Sequence, residues 1–250
     1  MSSILEIIKN TKQPKNGYLE VNKFKEVSFS DDLVISDSEN IPISIVGIVI
    51  DYMTRFMITN DARNSFRVSL SGAKTIDQSE KAEELIQKIT GLNNESIVAA
   101  CKLAGYDVCF RIHPDYYSPI EDINPDEQSI ENIKNMVNRS LLFVKEYGPI
   151  IKDGFTLEGG YTNKITAGDG DYLTEGTIWC LKLGANGITV KDTLEILITY
   201  LMGKHSNYSE LRDVHCISFY NPRLNKVFSL NTSDIPKEVI NEVEKNIIGY

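Results

Sequence analysis

The second half of the chain alternates between helix-like and strand-like segments, and this order constrains the fold more than any other feature. Short apolar runs predict five strands there, at residues 154–161, 168–173, 177–183, 214–220 and 226–230. Three helices are predicted around them, beginning near Ser129, at Asp192 and at Ser233 or Asp234. Helices interleaved with short strands are typical of an α/β fold in which helices flank one mixed sheet.

The first half is predicted to be mainly helical. Pro42 can start a buried helix over residues 41–58, although the β-branched run at 45–50 leaves a strand open. Amphipathic helices are predicted at 78–90 and 94–104, followed by a strand at 108–112. The proline-rich segment 113–127 is the best candidate linker. We therefore expect a mainly helical region, residues 1–125, packed on a core formed by residues 126–250.

The acidic composition limits what the protein can bind. There are 26 Lys and Arg residues against 35 Asp and Glu residues, a formal charge of −9. Non-specific DNA binding depends on Lys and Arg that neutralise phosphates, and residues 151–250 hold only 10 of these against 13 acids. A protein partner is therefore expected in preference to non-specific DNA.

The apolar segments and the cysteines bear on the compartment. The sequence contains no run of about 20 apolar residues, so no membrane association is expected. The four cysteines lack CxxC spacing, and three of them lie in apolar runs. They are predicted to be buried, reduced thiols in a cytoplasmic protein.

One stretch concentrates residues that could perform chemistry. Asp169 and Asp171 begin one predicted strand, and Cys180 and Lys182 share a face of the next because they are two residues apart. Glu195 follows near the start of a helix, at the edge of its apolar stripe. Neighbouring strands and a helix behind them can bring such groups to one point. The alternative for Asp169 and Asp171 is an ordinary Gly-Asp turn.

These residues resemble the PD-(D/E)XK nuclease-like superfamily over residues 128–230. The chain is also similar to uncharacterised bacterial proteins whose equivalent strand reads Asp-x-Lys. The resemblance implies a restriction-endonuclease-like core: a helix, a three-stranded meander, a second helix and a further strand. It assigns the family's aspartate to Asp171, its lysine to Lys182 and its helical polar position to Glu195. Cys180 lies where the family has its second carboxylate.

The resemblance also implies a Mg²⁺ ion, which carboxylate oxygens would hold to activate water and stabilise charge on a phosphate. Cys180 replaces one oxygen ligand with a soft thiol, of which only about 3% is ionised at pH 7 at the reference pKa. The site is therefore expected to be weak or inactive, unless Asp169, Glu158 or Glu195 supplies the missing carboxylate.

Two hypotheses follow from the resemblance. The first is a non-catalytic or weakly active nuclease-like protein that acts as a binding, inhibitory or immunity-type factor. By analogy, such a factor fits a phage, plasmid or defence context. The alternative is a Mg²⁺-dependent DNA nuclease with a rearranged site. It would use Asp171 with Asp169 or Glu158 as metal ligands, and Lys182 and Glu195 as catalytic residues.

Overall fold

The computed structural model describes residues 2–250. The α-helices in this range are α1 (Ile4–Asn10), α2 (Ile43–Thr59), α3 (Ala62–Ser65), α4 (Arg67–Thr75), α5 (Ser79–Gln87), α6 (Asn94–Ala104), α7 (Asp107–Arg111), α8 (Glu127–Tyr147), α9 (Val190–Lys204), α10 (Ser209–Arg212) and α11 (Lys237–Glu242), which continues as a π-helix (Val243–Ile248). The strands are β1 (Lys25–Ser28), β2 (Lys152–Thr156), β3 (Asp169–Thr174), β4 (Thr177–Leu181), β5 (Cys216–Asn221) and β6 (Lys226–Asn231). None of these helices is long and apolar enough to cross a bilayer.

The chain divides into two compact units. One comprises the residues up to Ser30 together with Val144–Tyr250, and the other is Asp31–Phe143. Within the described residues, all six strands lie in the first unit, which we call the sheet unit. The second, which we call the helical unit, contains no strand. This division differs from the predicted one at residue 125, because β1 pairs with β6 and so belongs to the sheet.

The sheet unit has an α/β fold with one open, mixed sheet, as predicted. The strand order is β1-β6-β5-β4-β3-β2. Strands β2, β3 and β4 form an antiparallel meander, and α9 then connects β4 to β5, which pairs parallel to β4. Strands β5 and β6 form an antiparallel hairpin. Because α9 follows β4 in the chain, this connection brings the helix near the carboxyl end of β4.

Helix α9 packs its apolar stripe into the core of the sheet unit. The predicted stripe, Leu194, Leu197, Ile198 and Leu201, is at most 2% exposed. Its neighbours in the core include Ile178 and Cys180 of β4, whose side chains share one face of that strand. Each buried leucine or isoleucine contributes roughly 1.5–3 kcal/mol relative to an exposed one, so this packing holds α9 firmly in place.

The helical unit is built around α2, which is buried along much of its length. Helix α2 packs against α6, α5 packs against α6, and α4 packs against α7. Helices α4 and α7 approach closely because residue 72 is glycine: a Cβ atom at Gly72 would lie 2.0 Å from the carbonyl oxygen of Tyr106. The prediction of a buried helix at 41–58 is confirmed, and the strand alternative there is wrong.

Two predictions about the helical unit are wrong. Residues 108–112 are not a strand, because α7 covers most of them. The buried carboxylate of Asp107, at the start of α7, accepts hydrogen bonds from the Tyr52 hydroxyl (2.6 Å) and from Ser69, which favours this helical turn over an extended strand. Segment 113–127 is not a linker between the compact units, because it lies inside the helical unit and buries Ile120.

The four cysteines are free thiols, as predicted. Three are buried as predicted, but the prediction is wrong for Cys216, which is partly exposed at the start of β5.

Candidate functional site

Four of the residues singled out in the sequence converge where β3, β4 and α9 meet. Asp171 lies in the middle of β3, Cys180 lies in β4, and Lys182 directly follows β4. The Lys182 N–H donates to the carbonyl of Tyr220 (3.0 Å), which continues the pairing of β4 with β5 by one residue. Because Cys180 faces the core that contains α9, Lys182, two residues on, faces the same helix, where it meets Glu195.

Lys182 is held between two carboxylates of α9. Its Nζ lies 2.8 Å from Oε2 of Glu195 and 3.3 Å from Oδ1 of Asp192, and its side chain is 20% exposed. Burial alone would lower the pKa of Lys182, but the carboxylates of Glu195 and Asp192 raise it above its ordinary value. The carboxylates therefore hold the lysine in its charged form at neutral pH.

Asp192 also belongs to this site, although the sequence pattern predicted it only as the start of a helix. The N-cap of α9 is Thr189 rather than Asp192. Oδ2 of Asp192 accepts hydrogen bonds from the Thr189 N–H (2.7 Å) and hydroxyl (2.6 Å), and its other oxygen meets Lys182. The available signal was the spacing of Asp192 and Glu195, which lie three residues apart and so share a face of the helix.

Cys180 is a neutral thiol enclosed by charged groups. The residue is 4% exposed. Burial raises its pKa well above the ordinary value, and the negative charges of Asp171 and Glu195 raise it further, whereas Lys182 lowers it. Burial and the neighbouring carboxylates therefore favour the protonated thiol, which is the weakly nucleophilic form.

Asp171 uses one carboxylate oxygen to join β3 to the end of β4. Its Oδ2 accepts a hydrogen bond from the main-chain N–H of Leu181 at 2.7 Å. Leu181 lies between the two positions of the predicted motif on this strand, which Cys180 and Lys182 occupy. The aspartate thus orders the end of β4 from the neighbouring strand.

The other two predicted ligands are exposed. Asp169 begins β3, where it is paired in register with Thr156. Glu158 lies in the loop after β2, and its carbonyl oxygen accepts a hydrogen bond from the N–H of Asn207 (2.7 Å). The ion pairs of Lys182 are made by Asp192 and Glu195 rather than by either of these residues.

The chemistry of this donor set does not fit Mg²⁺. The ion requires hard oxygen ligands in near-octahedral geometry. Here one carboxylate, Asp171, accepts a main-chain N–H, two others face the Lys182 cation, and the position between them is a protonated thiol. Within residues 2–250, no three His, Cys, Asp or Glu side chains are grouped so as to hold a metal ion.

Comparisons with protein-family models, with curated proteins and with solved structures found no match to this chain.

Proposed function

We propose that this chain is a nuclease-like protein that has lost metal-dependent catalysis and acts by binding a protein partner. The observation that carries the proposal is the pairing of Lys182 with Asp192 and Glu195 beside the protonated thiol of Cys180. In a metal-dependent nuclease the lysine would face water and phosphate. Here its charge is already balanced within the protein.

The order of the elements supports the nuclease-like part of the proposal. Helix α8 precedes the antiparallel meander β2-β3-β4, and α9 then leads to β5, which is parallel to β4. This order of elements agrees with the one that the PD-(D/E)XK resemblance implies. The added strands β6 and β1 extend the sheet beyond it on the side of β5.

The charge supports a protein partner over DNA. The formal charge is −9, and the one lysine at the site is neutralised. Non-specific DNA binding would require unpaired Lys and Arg side chains along a groove. A binding, inhibitory or immunity-type role in a phage, plasmid or defence locus remains the context that we propose by analogy.

Isothermal titration of the full chain with Mg²⁺ and Mn²⁺ tests the loss of the metal site. We expect no binding to the wild type and no cleavage of linear or circular DNA. Cys180→Asp restores an oxygen ligand between Asp171 and Lys182, and Cys180→Ser is the matched control without charge. Metal binding by the aspartate variant alone would support descent from a nuclease site.

A second outcome would favour the alternative, a Mg²⁺-dependent nuclease with a rearranged site. The convergence of Asp171, Lys182 and Glu195 is the observation in its favour. If the wild type cleaves DNA with Mg²⁺ and Lys182→Ala abolishes the cleavage, the non-catalytic proposal is wrong. Circular dichroism of each variant separates loss of activity from loss of folding.

Gel retardation with duplex DNA tests the partner class. Non-specific DNA-binding proteins have dissociation constants of about 10⁻⁴–10⁻⁶ M at physiological salt, and their binding strengthens steeply as salt is lowered. We expect no retardation even at low salt. Retardation that weakens with added salt would indicate a basic groove and contradict a protein-only partner.

A further inference from the structure

An extended segment of the helical unit lies along α8 without entering any helix or strand. This segment, residues 31–40, is called the strap below. None of its residues is buried, and Val34 is 76% exposed. The strap therefore gains little stability from the burial of apolar surface.

Asparagine side chains of α8 hold the main chain of the strap. Oδ1 of Asn132 accepts a hydrogen bond from the Ser36 N–H (2.8 Å), and Nδ2 of Asn132 donates to the Ser36 carbonyl (3.1 Å). Nδ2 of Asn135 donates to the carbonyl of Val34 (3.0 Å). Because these bonds contact main-chain atoms, they accept an extended segment of almost any sequence.

Both ends of the strap are fastened to the same helix. Arg139 forms a two-bond ion pair with Asp31, from Nε at 2.7 Å and from Nη2 at 2.8 Å, and also donates to the carbonyl of Leu33 (2.9 Å). At the other end, the N–H of Asn40 donates to Oγ of Ser129 (2.9 Å). The Arg139 contact requires a carboxylate at position 31. Two further contacts select strap side chains: Nδ2 of Asn132 donates to Oε1 of Glu39 (2.8 Å), and Oγ of Ser129 donates to Oδ1 of Asn40 (2.9 Å).

The residues of α8 that hold the strap form a polar stripe. The stripe consists of Ser129, Asn132, Asn135 and Arg139, which are 0%, 2%, 7% and 8% exposed. Their spacing of three, three and four residues places them on one face of the helix. Release of the strap would transfer these polar groups to water, which can replace their hydrogen bonds.

We propose that the strap is a releasable occupant of the polar stripe, and that the open stripe binds an extended segment of a protein partner with a carboxylate at the position of Asp31. The main-chain contacts set the extended conformation of that segment, and Arg139 sets its register. This inference concerns the helical unit alone and does not depend on the nuclease-like site.

Hydrogen exchange of the full chain tests the release of the strap. Asp31→Asn removes the charge that Arg139 binds, and Asp37→Asn is a control with the same charge change at an exposed strap residue. We expect the amides of Ser36 and Asn40 to exchange at least about 10-fold faster in Asp31→Asn than in the wild type, because a charged hydrogen bond is lost. The control should exchange as the wild type does.

A peptide in trans tests the occupant. The double variant Asp31→Asn/Ser36→Pro also removes the N–H that Asn132 binds, so its strap should leave the stripe open. We expect a fluorescent peptide with the sequence of residues 30–41 to bind this variant at least about 10-fold more tightly than the wild type. A second peptide that carries asparagine at the position of Asp31 should bind more weakly than the first.

Three results would overturn the proposal. The first is unchanged exchange in Asp31→Asn, which would make the strap a fixed part of the fold. The second is equal binding of both peptides, or of neither, by the double variant. The third is a dimer of the double variant in sedimentation, which would assign the stripe to a second copy of this chain.

Discussion

A double-mutant cycle on Lys182 and Glu195 measures the coupling free energy between the lysine cation and the carboxylate that pairs with it. The variants are Lys182→Met, Glu195→Gln and their combination, which remove the charges and preserve most of the volume. The Nζ–Oε2 distance is 2.8 Å, and the two side chains are only 20% and 24% exposed. A hydrogen bond between charged groups contributes about 1.5–3 kcal/mol.

The carboxylate of Asp192 places the expected Lys182–Glu195 coupling free energy in the lower part of that range. Asp192 lies 3.3 Å from the same Nζ, so Lys182 keeps one ion pair when Glu195 is changed. We therefore expect a coupling free energy of about 1.5–2 kcal/mol. Lys182→Met should be the more destabilising single change, because it leaves two carboxylates without their cation.

The single tryptophan of the chain provides the assay. Trp179 lies in β4, is 3% exposed, and donates from Nε1 to Oγ1 of Thr174 (2.8 Å). Its fluorescence during urea unfolding reports on the sheet unit, and therefore on the free energy of unfolding where the ion pair lies.

The Lys182/Glu195 cycle has a matched control variant and a result that would refute it. Glu158→Gln removes an exposed carboxylate of the same unit and should change the free energy of unfolding by no more than about 0.5 kcal/mol. A coupling free energy below about 0.5 kcal/mol would mean that the pair does not hold Lys182. The main support for a neutralised, non-catalytic site would then be lost.

Three further predictions concern other parts of the molecule. A thiol reagent should label Cys216 in the folded protein and the other three cysteines only after unfolding. These three are buried, and burial raises the pKa of each thiol. Rapid labelling of a second thiol in the folded protein would contradict this prediction. Gly72→Ala should destabilise the helical unit by roughly 1–3 kcal/mol in circular-dichroism melts, because its Cβ would meet the Tyr106 carbonyl. Gly91→Ala, whose nearest neighbour would be 3.9 Å away, should be nearly neutral, and equal effects would refute the packing argument. The hydrogen bond from Arg139 lowers the pKa of the Asp31 carboxyl. The stability that this ion pair adds is therefore present above the unfolded pKa of about 3.9 and is lost as the pH falls through the lower folded pKa. Hydrogen exchange of the strap, corrected for the intrinsic exchange rate, should accordingly accelerate at acidic pH.

Sequence patterns predicted those elements that are stabilised by residues within one short segment. Helix α6 begins and ends at the predicted residues, because its apolar spacing and the Asn93 cap lie within one short segment. The apolar stripe of α9 was likewise evident from a spacing of three and four residues. Strands β2, β3 and β4 were predicted from short apolar runs separated by turn residues, whereas their meander pairing was implied only by the family resemblance.

Pairing over long sequence distances was not predictable in this way. Strand β1 has the sequence Lys-Glu-Val-Ser, which shows no apolar alternation, and it is a strand because it pairs with β6 about 200 residues later. Helix α7 was predicted as a strand because Val108, Phe110 and Ile112 alternate. Its helical form depends on Asp107 and on the close approach at Gly72, both of which involve other helices.

The candidate site shows the same distinction. The sequence by itself determined which groups could meet, since strand periodicity aligned Cys180 with Lys182 and helix periodicity put Glu195 near the inner face of α9. Only the tertiary structure decided the charge balance. It placed both Asp192 and Glu195 against one lysine and directed Asp171 to the main chain of β4, because the packing of α9 on the sheet sets these distances.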